Sequence, residues 1–182
     1  MGSAPEGLGT LDWQPVPDRR DLLAVPVAAA LDQGELGPAS VYVAPIDPAL
    51  SDTDAFCEAY TVPLERTVNC VIVRGHRQET VKTAAVLVRG VDRADVNKRV
   101  RRRLDVRKLS FASQDEAVVE TGMEYGGIGP IGLPVGWPVL VDAAVASSPW
   151  VVLGSGVRGS KLAVPGQLLG TLADAEVFDL AL

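Results

Sequence analysis

Between Tyr125 and Pro134 the chain reads YGGIGPIGLP, with four glycines and two prolines in ten residues. Glycine lets another group approach the main chain closely, and proline fixes the shape of what lies between. Such a loop can aim several N–H groups at one carbonyl or phosphate oxygen. The alternative is a tight turn joining a helix to a strand. The spacing is not G-x-G-x-x-G opening a long helix, and no Gly-Lys-Ser follows, so a nucleotide cradle fits poorly.

Other routes to chemistry are sparse. The single histidine, His76, falls in a predicted hairpin turn, which leaves Cys-His and Ser-His-Asp catalysis without a base. Cys57 and Cys70 form neither a disulfide framework nor a CxxC pair, and read as free thiols of a reducing, cytoplasmic setting. Asn69 interrupts an otherwise apolar strand, where a polar residue needs a hydrogen-bonding or functional reason. Gly154-Ser155-Gly156 is a second glycine segment, and Ser155 has no base near it in sequence. Asp142 and Glu124 could pair as carboxylates, though nothing in their spacing singles them out.

The net charge of −6 argues against nonspecific coating of nucleic acid, yet seven of the seventeen cations fall between Lys98 and Lys108. Arg99, Arg102 and Arg103 are candidate phosphate contacts, and the alternative is a solvated helix face.

The elements that would position these residues follow from pattern. The chain has 182 residues, 47% hydrophobic and 22% charged, and suits one domain. No apolar run approaches a membrane span. Residues 4–18 read as irregular, and a helix is expected over Arg19–Leu31, broken or kinked at Pro26. Ala39–Ala44 is a strand candidate, and Asp52 or Thr53 caps a helix to about Tyr60 that buries Phe56. Thr67–Arg74 and Thr80–Arg89 form a hairpin across Gly75–Gln78. Asp92-Arg93-Ala94-Asp95 resembles a capping box opening a helix with Val96, Val100 and Leu104 on one face. Lys108–Phe111 is a short strand, and a helix runs from the Ser113–Glu116 capping box to Gly122. Trp137–Val141, Trp150–Leu153 and Lys161–Val164 are strands, and Pro165 opens a terminal helix through about Leu172.

The segment GMEYGGIGPIGLP resembles the signature loop of the YbaK/prolyl-tRNA synthetase-associated editing domains, an aromatic residue followed by GGxxPxG. The likeness continues in order through VPLERTVNCVIV, VDRADVNKRV, RKLSFAS and GSGVRGSKL, covering roughly residues 40–172. It implies a mixed α/β fold, a single domain with a barrel-like mixed β-sheet surrounded by helices. Residues 39–182 would be the editing domain and residues 1–38 an N-terminal extension packing on it.

The resemblance also implies hydrolysis, in trans, of the ester that joins a wrong amino acid to the 3′ end of a tRNA. No metal or cofactor is implied. Aminoacyl-tRNA is the implied partner, with a synthetase open as a second one and no membrane. Gly129 would stabilise the oxyanion through the backbone, with Gly126, Gly127, Ile128, Pro130, Gly154, Ser155 and Gly156 binding substrate. Where the family commonly carries a lysine, this chain has Asn69, and where many relatives carry an acid after Arg-Gly-x it has Lys161. The cation would then have moved from one wall of the pocket to the other, making Asn69 and Lys161 catalytic candidates. Lys161 as a solvated strand residue is the alternative. Asn69 equally suits a catalytically weakened module of the same fold that binds an aminoacyl ligand, and an accessory protein docking on tRNA or a synthetase is a third reading.

Overall fold

The computed structural model describes residues 5–37 and 40–182 and shows a mixed α/β fold of two sheets and six short helices. Its spine is a ten-pair antiparallel hairpin of β3 (Val68–Arg77) and β4 (Thr80–Arg89). β-Branched residues favour this pleated pairing, and β4 is buried from Ala84 to Val88. The hairpin lies within a five-stranded sheet ordered β5-β3-β4-β6-β9, with β5 at Lys108–Phe111, β6 at Val139–Asp142 and β9 at Ala175–Phe178. The β4–β6 and β6–β9 pairs are parallel. A four-stranded antiparallel sheet, β1-β2-β8-β7, comprises Gln14–Pro15, Tyr42–Pro45, Ser160–Val164 and Val151–Gly154.

The expected barrel-like sheet is thus two open sheets, joined by one parallel bridge between Thr67 and Val152. That seam matters for the site. β5 pairs with β3 only over Val73–His76, so the first residues of β3 keep a free edge facing β7.

Several local expectations change. Helix α1 is Val25–Asp32, shorter than expected, because Pro26 sits in the first turn, where its missing N–H is harmless, and so starts the helix. Of the expected strand at Ala39–Ala44, Ala39 lies outside the described residues and β2 begins at Tyr42. The hairpin runs past Gly75 and turns at Gln78, whose φ is +55°, so His76 lies within β3. Asp95, not Asp92, caps the basic segment by accepting from the Lys98 N–H at 3.0 Å, and Asp92 pairs with Arg89. That segment opens as one wide π-type turn, Val96–Val100, before α3 (Arg101–Leu104). The terminal helix α6 is only Gly166–Leu169, and the chain then forms β9, an unforeseen strand.

Other elements stand where the pattern placed them. Helix α2 (Thr53–Tyr60) buries Phe56, α4 (Gln114–Thr121) carries the full Ser113–Glu116 capping box, and Gly122 ends α4 in the left-handed conformation. Helix α5 (Ala143–Ala146) starts at Asp142, whose carboxylate accepts from the N–H groups of Ala144, Leu180 and Ala181. Glu124 instead accepts from the Arg158 N–H at 2.7 Å, so Asp142 and Glu124 serve separate backbones. The main core joins Val27 and Leu31 of α1 to Val43, Leu87, Val141, Leu153 and Leu162.

Candidate active site

A cavity of about 280 Å³ opens at the seam, lined by Ser51, Asp52, Thr53, Val68–Val71, Tyr125, Gly126, Ile128, Gly154 and Lys161. Each wall has a traceable origin. The free edge of β3 supplies Asn69 and Cys70, and the glycine loop supplies Gly126 and Ile128. Across the second sheet, Gly154 of β7 stands opposite Lys161 of β8 in register. The residues before α2 close the remaining side.

Lys161 is only 9% exposed, so it is not a solvated strand residue. Its Nζ donates to the Ser51 carbonyl at 2.8 Å and to the Gly126 carbonyl at 3.5 Å, and lies 5.5 Å from the Phe56 ring centroid. No carboxylate pairs with it at ion-pair distance among the described residues. Burial lowers the amine to about 8, Asp52 partly opposes the shift, and Arg158 adds to it.

The Asn69 Oδ1 accepts from the Thr53 hydroxyl at 3.0 Å, which orients the amide and leaves its N–H₂ donors available. The N–H groups of Gly126 and Ile128 meet no backbone acceptor among the described residues. The cavity lining therefore combines one ammonium, the Asn69 amide and two loop residues whose N–H groups have no backbone acceptor among the described residues, with the Asp52 carboxylate at its rim. Such a set suits an electron-rich oxygen beside a cationic group. Burial raises both thiols, Cys70 to about 12, so neither supplies a ready thiolate.

The remaining sequence candidates lie around this cavity rather than on its wall. Gly127 and Gly129 pack on the second glycine segment: a Cβ on Gly129 would stand 2.2 Å from the Gly154 carbonyl oxygen. The Gly156 N–H donates to the Gly127 carbonyl at 2.8 Å. Pro130 lines a separate cleft with Glu35 and Trp137. Ser155 is fully buried, and its hydroxyl is bound to the Ser160 hydroxyl at 2.7 Å and the Ser160 carbonyl at 3.0 Å.

The basic cluster stands apart from the cavity. Arg99 donates to the Asp179 carbonyl at 3.1 Å, Arg103 is paired with Glu176, and Arg102 is exposed. Sequence reasoning passed over Ser51, Asp52, Thr53 and Tyr125 as site residues. The Ser-Asp-Thr run reads as helix-capping chemistry, and only its proximity to Lys161 shows otherwise.

No helix among the described residues is long and apolar enough to cross a membrane. Known structures share the fold. The chain aligns with a candidate trans-editing enzyme for prolyl-tRNA synthetase at a TM-score of 0.73 and 23% identity, covering 87% of this chain and 96% of that one. A scaffold used for computational epitope grafting aligns at 0.72 and 22%, covering 87% and 97%, and a hypothetical protein at 0.73 and 20%, covering 84% and 98%. Residues 47–172 match the model of the aminoacyl-tRNA editing domain. With that match spanning more than half of its length, the chain belongs to the aminoacyl-tRNA editing domain family.

Proposed function

We propose that this protein is an aminoacyl-tRNA deacylase of the cytoplasm, acting in trans on a misacylated tRNA. The observation that carries the reading is the donor-lined cavity, where Asn69, Gly126, Ile128, Gly154 and Lys161 meet from distant parts of the chain. In this reading the ester carbonyl faces Lys161, the Asn69 amide and the free N–H groups of the loop. Asp52, exposed at the rim, takes the α-ammonium. Water adds through its oxygen to the carbonyl carbon, and the carbonyl oxygen carries the resulting negative charge toward the donors. Collapse breaks the bond to the ribose oxygen. That oxygen takes a proton from the added water, directly or through the vicinal ribose hydroxyl, and the amino acid leaves as a carboxylate, releasing a proton. The N-terminal extension packs on the editing unit, with Val27 and Leu31 in the shared core, and a synthetase is the candidate second partner.

The test is a deacylation assay over a panel of misacylated tRNAs. Release of amino acid from at least one of them above the uncatalysed rate is expected. Tight binding of an acylated tRNA without release would favour the second reading, a binding module, which Asn69 in place of a cation supports.

The relocated cation gives a sharper prediction. Asn69→Lys alone should impair the protein, since two ammonium groups about 4 Å apart repel by roughly 4 kcal/mol at an intermediate dielectric, before relaxation. Adding Lys161→Asp should recover what the single change loses. The double-mutant cycle, read in melting temperature and deacylation rate, isolates the coupling, and strict additivity would show that the two walls do not communicate.

For the basic cluster, Arg102 is the cleanest probe because Arg103 is held by Glu176. Arg102→Glu should weaken tRNA binding and reduce the slope of log affinity against log salt by about one for each lost phosphate contact. An unchanged slope would return the cluster to a solvated face.

A further inference from the structure

We propose that the Ser51 hydroxyl contacts the substrate directly, donating a hydrogen bond to the ester carbonyl oxygen as negative charge develops there. This rests on the deacylase reading and adds to it a residue that neither the glycine loop nor the cation pattern points to.

Ser51 is 2% exposed and lines the cavity. Its Oγ is the one buried side-chain polar atom among the described residues that has no hydrogen-bond partner. An unpaired buried hydroxyl is unfavourable, and such groups are rare in folded proteins without a reason. No local structural role accounts for this one. Asp47 caps the preceding turn, Asp52 occupies the N-cap of α2, and Lys161 is held by the Ser51 main-chain carbonyl, not by its side chain.

The surroundings fix what the hydroxyl can bind. A Cβ on Gly126, where φ is +83°, would stand 3.0 Å from the Ser51 Oγ and 2.9 Å from Arg158 Nη1. Glycine at 126 thus leaves the space beside the hydroxyl free of a side chain. Arg158 donates to the carbonyls of Tyr125 and Pro48, both at 3.1 Å, and has no carboxylate partner at ion-pair distance among the described residues. A hydroxyl can donate or accept. Between the Lys161 ammonium and the Arg158 guanidinium the favoured ligand atom is an oxygen gaining negative charge, so Ser51 acts as the donor. It keeps its proton throughout, and no covalent bond forms to it.

Ser51→Ala separates this role from a structural one. Removing an unpaired hydroxyl should leave the melting temperature equal or higher, while kcat falls about 100-fold, the scale for one oxyanion donor. Ser51→Cys, similar in size with a weaker donor, should fall between the two. Undiminished kcat in Ser51→Ala, or a loss of activity matched by a lowered melting temperature, would overturn the proposal. A wild-type protein that hydrolyses no ester in the panel overturns the deacylase reading instead. In that event the preference for acylated over uncharged tRNA decides the hydroxyl's role. A preference reduced in Ser51→Ala supports the contact, and an equal one removes it.

Discussion

Replacing Lys161 by methionine should make the protein more stable and almost inactive. The amine titrates at about 8 in the folded protein against an ordinary value of 10.5, so its charged form is held at a loss of roughly 3 kcal/mol below pH 8. Methionine keeps most of the packing volume and forfeits the bond to the Ser51 carbonyl, about 1 kcal/mol. A net gain of about 2 kcal/mol should raise the melting temperature by about 4–8 °C for a chain of this size.

The sign follows from proton counting. Between about pH 8 and 10.5 the unfolded chain binds more protons at this site than the folded one, so wild-type stability rises with pH across that window. The advantage of Lys161→Met should therefore be full below pH 8 and fade toward pH 10.5. Deacylation should drop by about 100-fold or more, and wild-type turnover above background should decline as pH passes 8 and the ammonium is lost. Lys82, whose Nζ donates to the Leu104 carbonyl far from this cavity, is the control, and Lys82→Ala should leave turnover unchanged. A Lys161→Met protein that is less stable at pH 7, or that retains turnover, would refute the assignment.

Gly129→Ala should unfold the site rather than merely block it. Were Gly129 simply an open backbone donor to substrate, an added methyl would crowd the substrate and spare the fold. In the structure the Cβ would meet the Gly154 carbonyl oxygen at 2.2 Å, backbone against backbone, with no flexible side chain to yield. Overpacking of this kind destabilises by about 3 kcal/mol or more, a fall of about 6–12 °C in melting temperature, with activity lost in parallel. Gly154→Ala should behave alike, since its Cβ would stand 2.3 Å from the Gly127 carbonyl oxygen. Differential scanning calorimetry beside the deacylation assay checks both, and an inactive Gly129→Ala protein with wild-type melting would restore the substrate-crowding account.

These two cases show what sequence reveals here and what it hides. The hairpin, the Ser113 capping box and Phe56 are legible because each follows from local chemistry: a β-branched run, a reciprocal side-chain cap, one apolar helix face. The unusual residues of the site are legible for the same reason, since Asn69 and the glycines stand out against their neighbours. Which neighbour each glycine serves is not local. Gly129 faces Gly154, a residue 25 positions away that no periodicity connects to it. Ser51 is hidden for the opposite reason: a serine before a helix is ordinary, and only three-dimensional packing leaves its hydroxyl unpaired. β9 escaped notice because an edge strand half open to solvent has no continuous apolar run, and its pairing with β6 depends on the chain's return.

The arrangement of the strands also sets where this unit can be cut for use elsewhere. The residues matched by the family model, 47–172, exclude β2, which pairs with β8 and places Ala44 opposite Lys161, and exclude β9 on the flank of β6. A graft trimmed to those bounds would expose two unsatisfied strand flanks, one of them on the strand that carries the buried amine. Such flanks recruit other chains, so the trimmed graft should self-associate before it can be assayed. It would also shed Val16, Val27 and Leu31 of the main core and Leu180, which is buried against Val86 and Leu140 in a second apolar cluster. A portable version of this domain therefore has to run from at least Leu8, which is buried against Phe56 and precedes β1, through Leu180.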